Sequence, residues 1–390
     1  MTARKTLGLI VNPVAGVGGR VGLKGSDGIE ILRRALELGA ARESPRRAQQ
    51  ALARLAGLAG EIEIVTCPGE MGGDEAVAAG FAPRVLDGVV GAPWSAPLPD
   101  GAPATTAEDT VKAARAMRDM GVDLLLFAGG DGTARNVYDA IGSDIVTLGI
   151  PAGVKIHSAV YATTPAAAGD LAALLFRPQA RGIEVREAEV MDIDEEAFRE
   201  DRVSARLYGY LRVPYQRNLL QSAKAGAAGS DAGALEGIAS EVVNGMRPGR
   251  LYVIGPGTTT RSIMRILELP NTLLGVDVVC DRAVVASDVN ENDLLRLTAE
   301  RPATVVVTAI GGQGHIFGRG NQQISPRVLR QVGLGDIVVV ATQQKLLALE
   351  ERPLLVDTGD EELNAELCGY RRVVTNLNES TIYPVSTEAG

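Results

Sequence analysis

Gly129-Gly130-Asp131-Gly132-Thr133 stands directly after the apolar run Val122 to Phe127 and opens a stretch with helical patterning. An apolar run of that length closed by glycines reads as a buried strand, so the local order is strand, glycine turn, helix. The same order opens the chain: Leu7 to Val11 is closed by Asn12-Pro13, a glycine-rich stretch follows, and apolar residues recur at helical spacing from Ile29 to Leu38. Ile62 to Val65 and Val146 to Ile150 add strands, with helical patterns at Pro45 to Leu58, Asp74 to Ala79 and Glu108 to Met120 between them. Strands alternating with helices predict an α/β fold built on a doubly wound parallel sheet, with ligand loops at the strand C-terminal ends.

The texture changes near Thr163, where a helix to Leu175 is followed by longer, charged, partly alternating strands at Ile183 to Asp194 and Arg206 to Val213. At 390 residues the chain has room for two or three domains of about 150 residues each. The expected division is 1–162 for the parallel domain and 163–390 for a second, mixed α/β domain, its last segment a candidate for packing back on the first. Phe81 to Pro103, with the single Trp94, reads as a loop or lid, and Gln221 to Gly233 as a loop rich in small residues. Further on, a helix at Leu235 to Met246 and a strand at Leu251 to Ile254 lead into Gly255-Pro256-Gly257-Thr258-Thr259-Thr260, a glycine and hydroxyl loop that opens another helix.

The formal charge of −9, from 39 basic and 48 acidic residues, argues against a broad cationic face for nucleic acid or anionic lipid. Aromatic residues are 4% of the chain, so stacking platforms for bases are scarce. The opening residues carry only a five-residue apolar run, too short for a secretory signal and far below the roughly 18 residues that span a bilayer. A cytoplasmic protein with small-molecule partners, and neither nucleic acid nor membrane among them, is expected. Cys67, Cys280 and Cys368 have no metal-binding or redox spacing.

Glycines at the start of a helix let backbone N–H groups approach phosphate oxygens, and the helix N-terminus favours negative charge. Gly129, Gly130, Gly132 and Thr133 are therefore candidate phosphate ligands. Asp131 is the odd member, because a carboxylate repels phosphates unless it holds a divalent cation or accepts a proton from an attacking hydroxyl. The bland reading is a tight turn with Asp131 as helix N-cap. In the first loop Asn12, Gly16, Gly18, Gly19 and Lys24 read either as a second phosphate-binding stretch or as a flexible connection. Past the strand ending at Ile150, Lys155 and His157 lie close enough to a strand end to meet an anionic ligand, although a lone histidine is more often a hydrogen-bonded structural residue. The run from Gly311 to Pro326 is either a glycine-rich turn or the lining of a nucleotide pocket in which Arg319 pairs with phosphate. Asp357 and Asp360 have metal-like spacing, but turn carboxylates of this kind are commonly just surface groups.

The GGDGT loop after a strand, together with an N-terminal strand ending in Asn12-Pro13 and a glycine-rich loop, resembles the NAD kinase and diacylglycerol kinase superfamily, and within it the ATP-NAD kinase-like branch that includes the acetoin-catabolism protein AcoX. The likeness runs through Leu9 to Gly28, Leu125 to Asn136, Leu148 to Ser158, Gly255 to Asp277 and Gly311 to Pro326. It implies a Mg²⁺-dependent kinase that moves a phosphoryl group from ATP, or in some members polyphosphate, to an alcohol, with NAD(H) the expected acceptor. It also implies a homo-oligomer. By position Asp131 takes the role of the base for the hydroxyl, and Asn136 joins the nucleotide-binding set. The family's second signature, a Pro-x-Gly-Ser-Thr-Ala-Tyr loop, corresponds loosely to Pro256 to Arg261, which assigns nucleotide contacts to Gly257, Thr258 and Thr259. The adjacent Asn-Glu or Asn-Asp pair of NAD kinases has no counterpart between Ile150 and Asp170. Alternatives are phosphorylation of another small hydroxyl compound, such as a sugar or nucleoside, and a nucleotide-binding regulator without catalysis.

Overall fold

The computed structural model describes residues 4–23, 29–89, 105–154, 156–177, 183–193, 205–216, 219–220, 232–272, 274–309 and 314–388. Two compact units emerge. Among the described residues the first comprises 4–18, 29–193 and 205–220, and the second 19–23 and 232–388.

The first unit runs β1 (Lys5–Val11), α1 (Ile29–Glu37), α2 (Ser44–Ala53), β2 (Ile62–Thr66), α3 (Gly73–Ala78), β3 (Arg84–Val85), α4 (Ala107–Asp119), β4 (Leu124–Gly129), α5 (Asp131–Ile141), β5 (Thr147–Pro151), α6 (Pro165–Phe176), β6 (Glu184–Ile193) and β7 (Ala205–Tyr215). Its sheet has the order β3-β2-β1-β4-β5, every pair parallel. All six residues of β4 are buried, as the continuous apolar run requires when helices cover both faces. Because β1 leads outward to β2 and β3 on one side while β4 and β5 continue on the other, the topological switch point falls between β1 and β4. That is where an open α/β sheet leaves a crevice for a ligand.

The first unit continues past the expected boundary at 162/163. α6 packs on α2, and the antiparallel ribbon β6–β7 is bound to the sheet's edge through a bridge between Val146 and Arg212 and through Thr147 Oγ1 donating to the Arg212 carbonyl at 3.3 Å. The charged, alternating residues of this ribbon read as a new domain in sequence, yet Ala188, Val190, Leu211 and Val213 join the first core. Of the Phe81 to Pro103 segment, residues 90–103 lie outside the described residues, and the rest contains the short edge strand β3. Most of the Gln221 to Gly233 segment lies outside them too.

The second unit contains α7 (Ala232–Asn244), β8 (Leu251–Ile254), α8 (Thr258–Ile266), β9 (Asp277–Cys280), β10 (Ala283–Ala286), α9 (Glu291–Glu300), β11 (Ala303–Thr308), β12 (His315–Phe317), α10 (Pro326–Val332), β13 (Ile337–Val340), α11 (Gln343–Leu347), β14 (Leu354–Val356), α12 (Glu361–Leu367), β15 (Gly369–Asn376) and β16 (Glu379–Ser386). Its mixed sheet has the order β10-β9-β8-β11-β13-β15-β16-β14-β12, with β8, β11, β13 and β15 parallel. The last segment of the chain, β15–β16, is thus part of this sheet.

Candidate active site

In the first unit the loops after β1, β4 and β5 meet at the C-terminal edge of the sheet. Asn12, the residue after β1, donates from Nδ2 to Thr133 Oγ1 at 3.0 Å, while its own Oδ1 accepts from the Val14 N–H at 3.2 Å. This bond crosses the switch point and joins the two glycine loops singled out in the sequence. Gly16, at φ +80°, lets the first loop pass so close to the β5 exit that a Cβ there would lie 2.1 Å from the Ala152 carbonyl oxygen. Gly130 meets Gly153 backbone to backbone: a Cβ on Gly153 would come within 2.7 Å of the Gly130 Cα. Gly18 is buried in the first loop, and Gly129, Gly132 and Asn136 lie on β4 and α5 beside the turn.

Asp131 is buried and does not cap its own helix; Gly130 holds the N-cap position. The carboxylate instead reaches the loop after β5. Oδ1 accepts from the Ser158 backbone N–H at 3.0 Å, Oδ2 from the His157 N–H at 2.8 Å, and His157 Nδ1 lies 3.3 Å from the same Oδ2. The turn is fixed from below by Tyr161, whose hydroxyl donates to the Gly130 carbonyl at 2.5 Å and whose fully buried ring packs edge-on against Phe127. Ser158 extends the network: its hydroxyl donates to the Met191 carbonyl at 2.8 Å and accepts from the Met191 N–H at 2.9 Å, tying the loop to β6. Buried Arg47, on α2, donates to the Pro151 carbonyl at 3.2 Å and steadies the end of β5. Tyr161, Ser158, Gly153 and Arg47 escaped the sequence reading. Tyr161 packs over Gly149 of β5, a contact made by the fold and not visible in the sequence.

The Asp131 carboxylate, expected as a base or cation ligand, already accepts two backbone N–H groups out of about four acceptor positions, with His157 Nδ1 a further neighbour whose role depends on the tautomer. Among the described residues no group of three His, Cys, Asp or Glu side chains is placed to hold a metal. Near the end of β2, Glu75 on α3 is buried, its Oε2 has no hydrogen-bond partner, and burial pushes its carboxyl up to about 7. Burial likewise pushes the Cys67 thiol up to about 12, which makes it an inert core group.

The second unit holds its own glycine and hydroxyl loop. Gly257 precedes α8 at φ +135°, Thr258 is exposed at the helix start, and Thr259 is buried. Lys345, on α11, donates from Nζ to Thr259 Oγ1 at 2.8 Å and to Thr308 Oγ1 and the Ala309 carbonyl at 3.4 Å. The ends of the parallel strands β8, β11 and β13 thus bring together residues far apart in the chain. Gly19 packs against Gln322, and the Arg20 carbonyl accepts from the Glu291 N–H at 3.1 Å, so the second half of the N-terminal glycine loop belongs to this unit. Arg319 is buried with Nε 4.0 Å from Asp357 Oδ2, beside Gly318, whose N–H donates to Asn321 Oδ1. Asp360 caps α12 by accepting from the Leu363 N–H and pairs with Arg330, which together hold its carboxyl down at about 2. The Asp357 and Asp360 pattern therefore serves internal pairing. Lys24 and Lys155 lie outside the described residues, as do Gly311 to Gln313.

No helix among the described residues is long and apolar enough to cross a membrane. A search of curated proteins and one of solved structures gave no match. The ATP-NAD kinase N-terminal domain matches residues 7–180 and the ATP-NAD kinase C-terminal domain matches residues 249–385, so most of the chain is covered. With GGDGT set at the switch point of a parallel sheet and a mixed α/β unit following it, the chain belongs to the ATP-NAD kinase family.

Proposed function

We propose that the protein transfers the γ-phosphoryl group of MgATP to an alcohol, with NAD(H) as acceptor and NADP(H) as product. The observation that carries this reading is the cluster at the switch point, where Asn12 and Thr133 bond across the crevice beside a buried carboxylate at a helix start. Glycines and a threonine hydroxyl at a helix start suit a triphosphate, and a single fixed carboxylate suits control of the acceptor hydroxyl. Magnesium enters as part of the nucleotide substrate and neutralises charge on its β- and γ-oxygens; polyphosphate is the alternative donor.

In the first unit Asn12, Gly16, Gly18, Gly129, Gly130, Gly132, Thr133 and Asn136 would line the phosphate path. In the second, Thr258, Thr259 and Lys345 would hold an anionic part of a substrate, the lysine as a compact point charge. A second reading, transfer to another small hydroxyl compound, is favoured by one feature: the segment from Ile150 to Asp170 lacks an adjacent Asn-Glu or Asn-Asp pair. Incubating the protein with MgATP and NAD or NADH, and following ADP and NADP(H) together, separates the two. Stoichiometric NADP(H) supports the first reading, and ADP release that depends on a different alcohol supports the second.

A further inference from the structure

The connection between β2 and α3 leaves the sheet at the edge that carries the candidate site, and it closes on a buried acid. Gly72, at φ +132°, lies so close to β1 and β2 that a Cβ there would be 2.3 Å from Thr66 Oγ1 and 3.3 Å from Leu9 Cγ. Thr66 Oγ1 in turn donates to the Leu9 carbonyl at 2.9 Å, on the strand that leads to Asn12. Cys67 bridges to Gly72, a Cβ on Gly73 would come within 2.9 Å of the Cys67 carbonyl oxygen, and Cys67 itself is fully buried at the root of the connection.

Glu75, in the first turn of α3, is 3% exposed, and its Oε2 has no hydrogen-bond partner. The charged groups facing it are Asp74 on its own helix, Glu70 in the turn Gly69–Met71, and Arg42 on the approach to α2. Arg42 is paired with Glu70. On α2, which packs against α3, Arg47 donates to the Pro151 carbonyl, and at the start of that helix Glu43 pairs with Arg46. A carboxylate here would be buried beside two other acids, with the facing guanidinium already bound to one of them, so the neutral acid is favoured. Burial is the leading cause that raises the carboxyl to about 7.

We propose that Glu75 is a proton-operated latch: protonated, it closes the connection between β2 and α3 on the sheet, and ionised, it draws Arg42 from Glu70 and releases residues 67–73. The proton passes to solvent. An ionised Glu75 has to find a cation or water, and Arg42 is the facing cation. Once Arg42 leaves Glu70, the turn Gly69–Met71 loses the ion pair that ties it to the approach to α2. The inference does not rest on the kinase reading, since it concerns the packing of the first unit alone.

Cys67 reports the release, because its buried thiol reacts only when the connection opens. The intact protein is labelled with a pyridyl disulfide, which reacts with thiols down to acid pH, and the labelled Cys67 peptide is quantified by mass spectrometry from pH 5 to pH 8. Dividing the wild-type rate by that of Glu75→Gln at each pH cancels the ionisation of the thiol itself. Glu75→Met gives the same neutral reference if the amide variant does not fold. With the acid at about 7 when closed and at its ordinary 4.5 when open, closure is favoured below 4.5 and lost as pH rises through about 7. The rate ratio is therefore expected to grow on the order of 50-fold from pH 5 to pH 8, levelling off above pH 7. In low urea the wild-type rate should stay flat, since a local opening exposes little surface. Glu70→Gln, which leaves Arg42 to Glu75, is expected to cut the growth to less than about tenfold. A ratio that stays constant with pH, labelling that climbs with urea as global unfolding does, or full growth in Glu70→Gln would each overturn the latch.

Discussion

Two loops in this molecule are built alike and are chemically unlike. Each follows a parallel strand, each carries glycine and threonine, and each opens a helix: Gly129 to Thr133 after β4, and Gly255 to Thr260 after β8. In the first the threonine hydroxyl accepts from a neutral amide, Asn12, and the adjacent acid is bonded to an imidazole. In the second the threonine hydroxyl accepts from an ammonium, Lys345, and the loop has no acid. Glycines that open a helix suit anions in both loops; on the proposed function, the partner delivered by a distant element sets whether a loop also handles protons or only holds charge.

The sharpest way to break the comparison is to exchange the acid. Asp131→Asn should lower kcat about 10²-fold or more if Asp131 governs proton transfer. Thermal melting beside it separates that loss from the destabilisation, of about 1–3 kcal/mol, expected because both carboxylate oxygens accept buried backbone N–H groups and an amide can accept at only one. Lys345→Met should act differently, raising the KM for an anionic substrate about tenfold with kcat changed much less, as expected when uniform binding is removed. A Lys345→Met variant that lost kcat with an unchanged KM would erase the distinction drawn between the two loops.

A smaller effect, on stability, separates the units by the sign of their pH response. The Glu75 carboxyl in the first unit is raised to about 7 by burial, so its contribution is present below its ordinary value of 4.5 and is lost as pH rises through about 7. Asp360 in the second unit is lowered to about 2 by Arg330 and the Leu363 N–H, so its contribution is present above its ordinary value of 3.8 and is lost as pH falls through about 2. Denaturant melts from pH 5 to pH 8 should show wild type weakening relative to Glu75→Gln, by on the order of 3 kcal/mol at the alkaline end. Equal slopes for the two proteins would refute the buried acid. The smallest effect is expected from Asp360→Asn, a few tenths of a kcal/mol to about 1 kcal/mol at neutral pH with no change above it, since the pair with Arg330 is partly solvated.

What was legible in the sequence was local. The run Val122 to Phe127 with its glycines announced a buried strand and a helix start, and Asn12-Pro13 closed the neighbouring strand; β4 begins two residues later, at Leu124, and the helix start and the end of β1 lie where the pattern placed them. Lys345 could not be found that way, because it is 86 positions from Thr259 and only the parallel order of β8, β11 and β13 makes them neighbours. The strands β12 and β14, each three residues long, are too short to show alternation, and β15 mixes Arg371 and Arg372 into its pattern. The ribbon β6–β7 misled for the opposite reason: its charges mark one solvent-facing side, while its other side fills the first core. His157 was visible as one of two histidines, but its bond to Asp131 depends on β4 and β5 lying side by side.

The most direct test of the account is a single assay: ADP release and NADP(H) appearance from MgATP and NAD or NADH, measured for wild type and for Asp131→Asn side by side. Matched ADP and NADP(H) from wild type and a loss of about 10²-fold or more in the variant are expected. Full turnover by a correctly folded Asp131→Asn protein would contradict it.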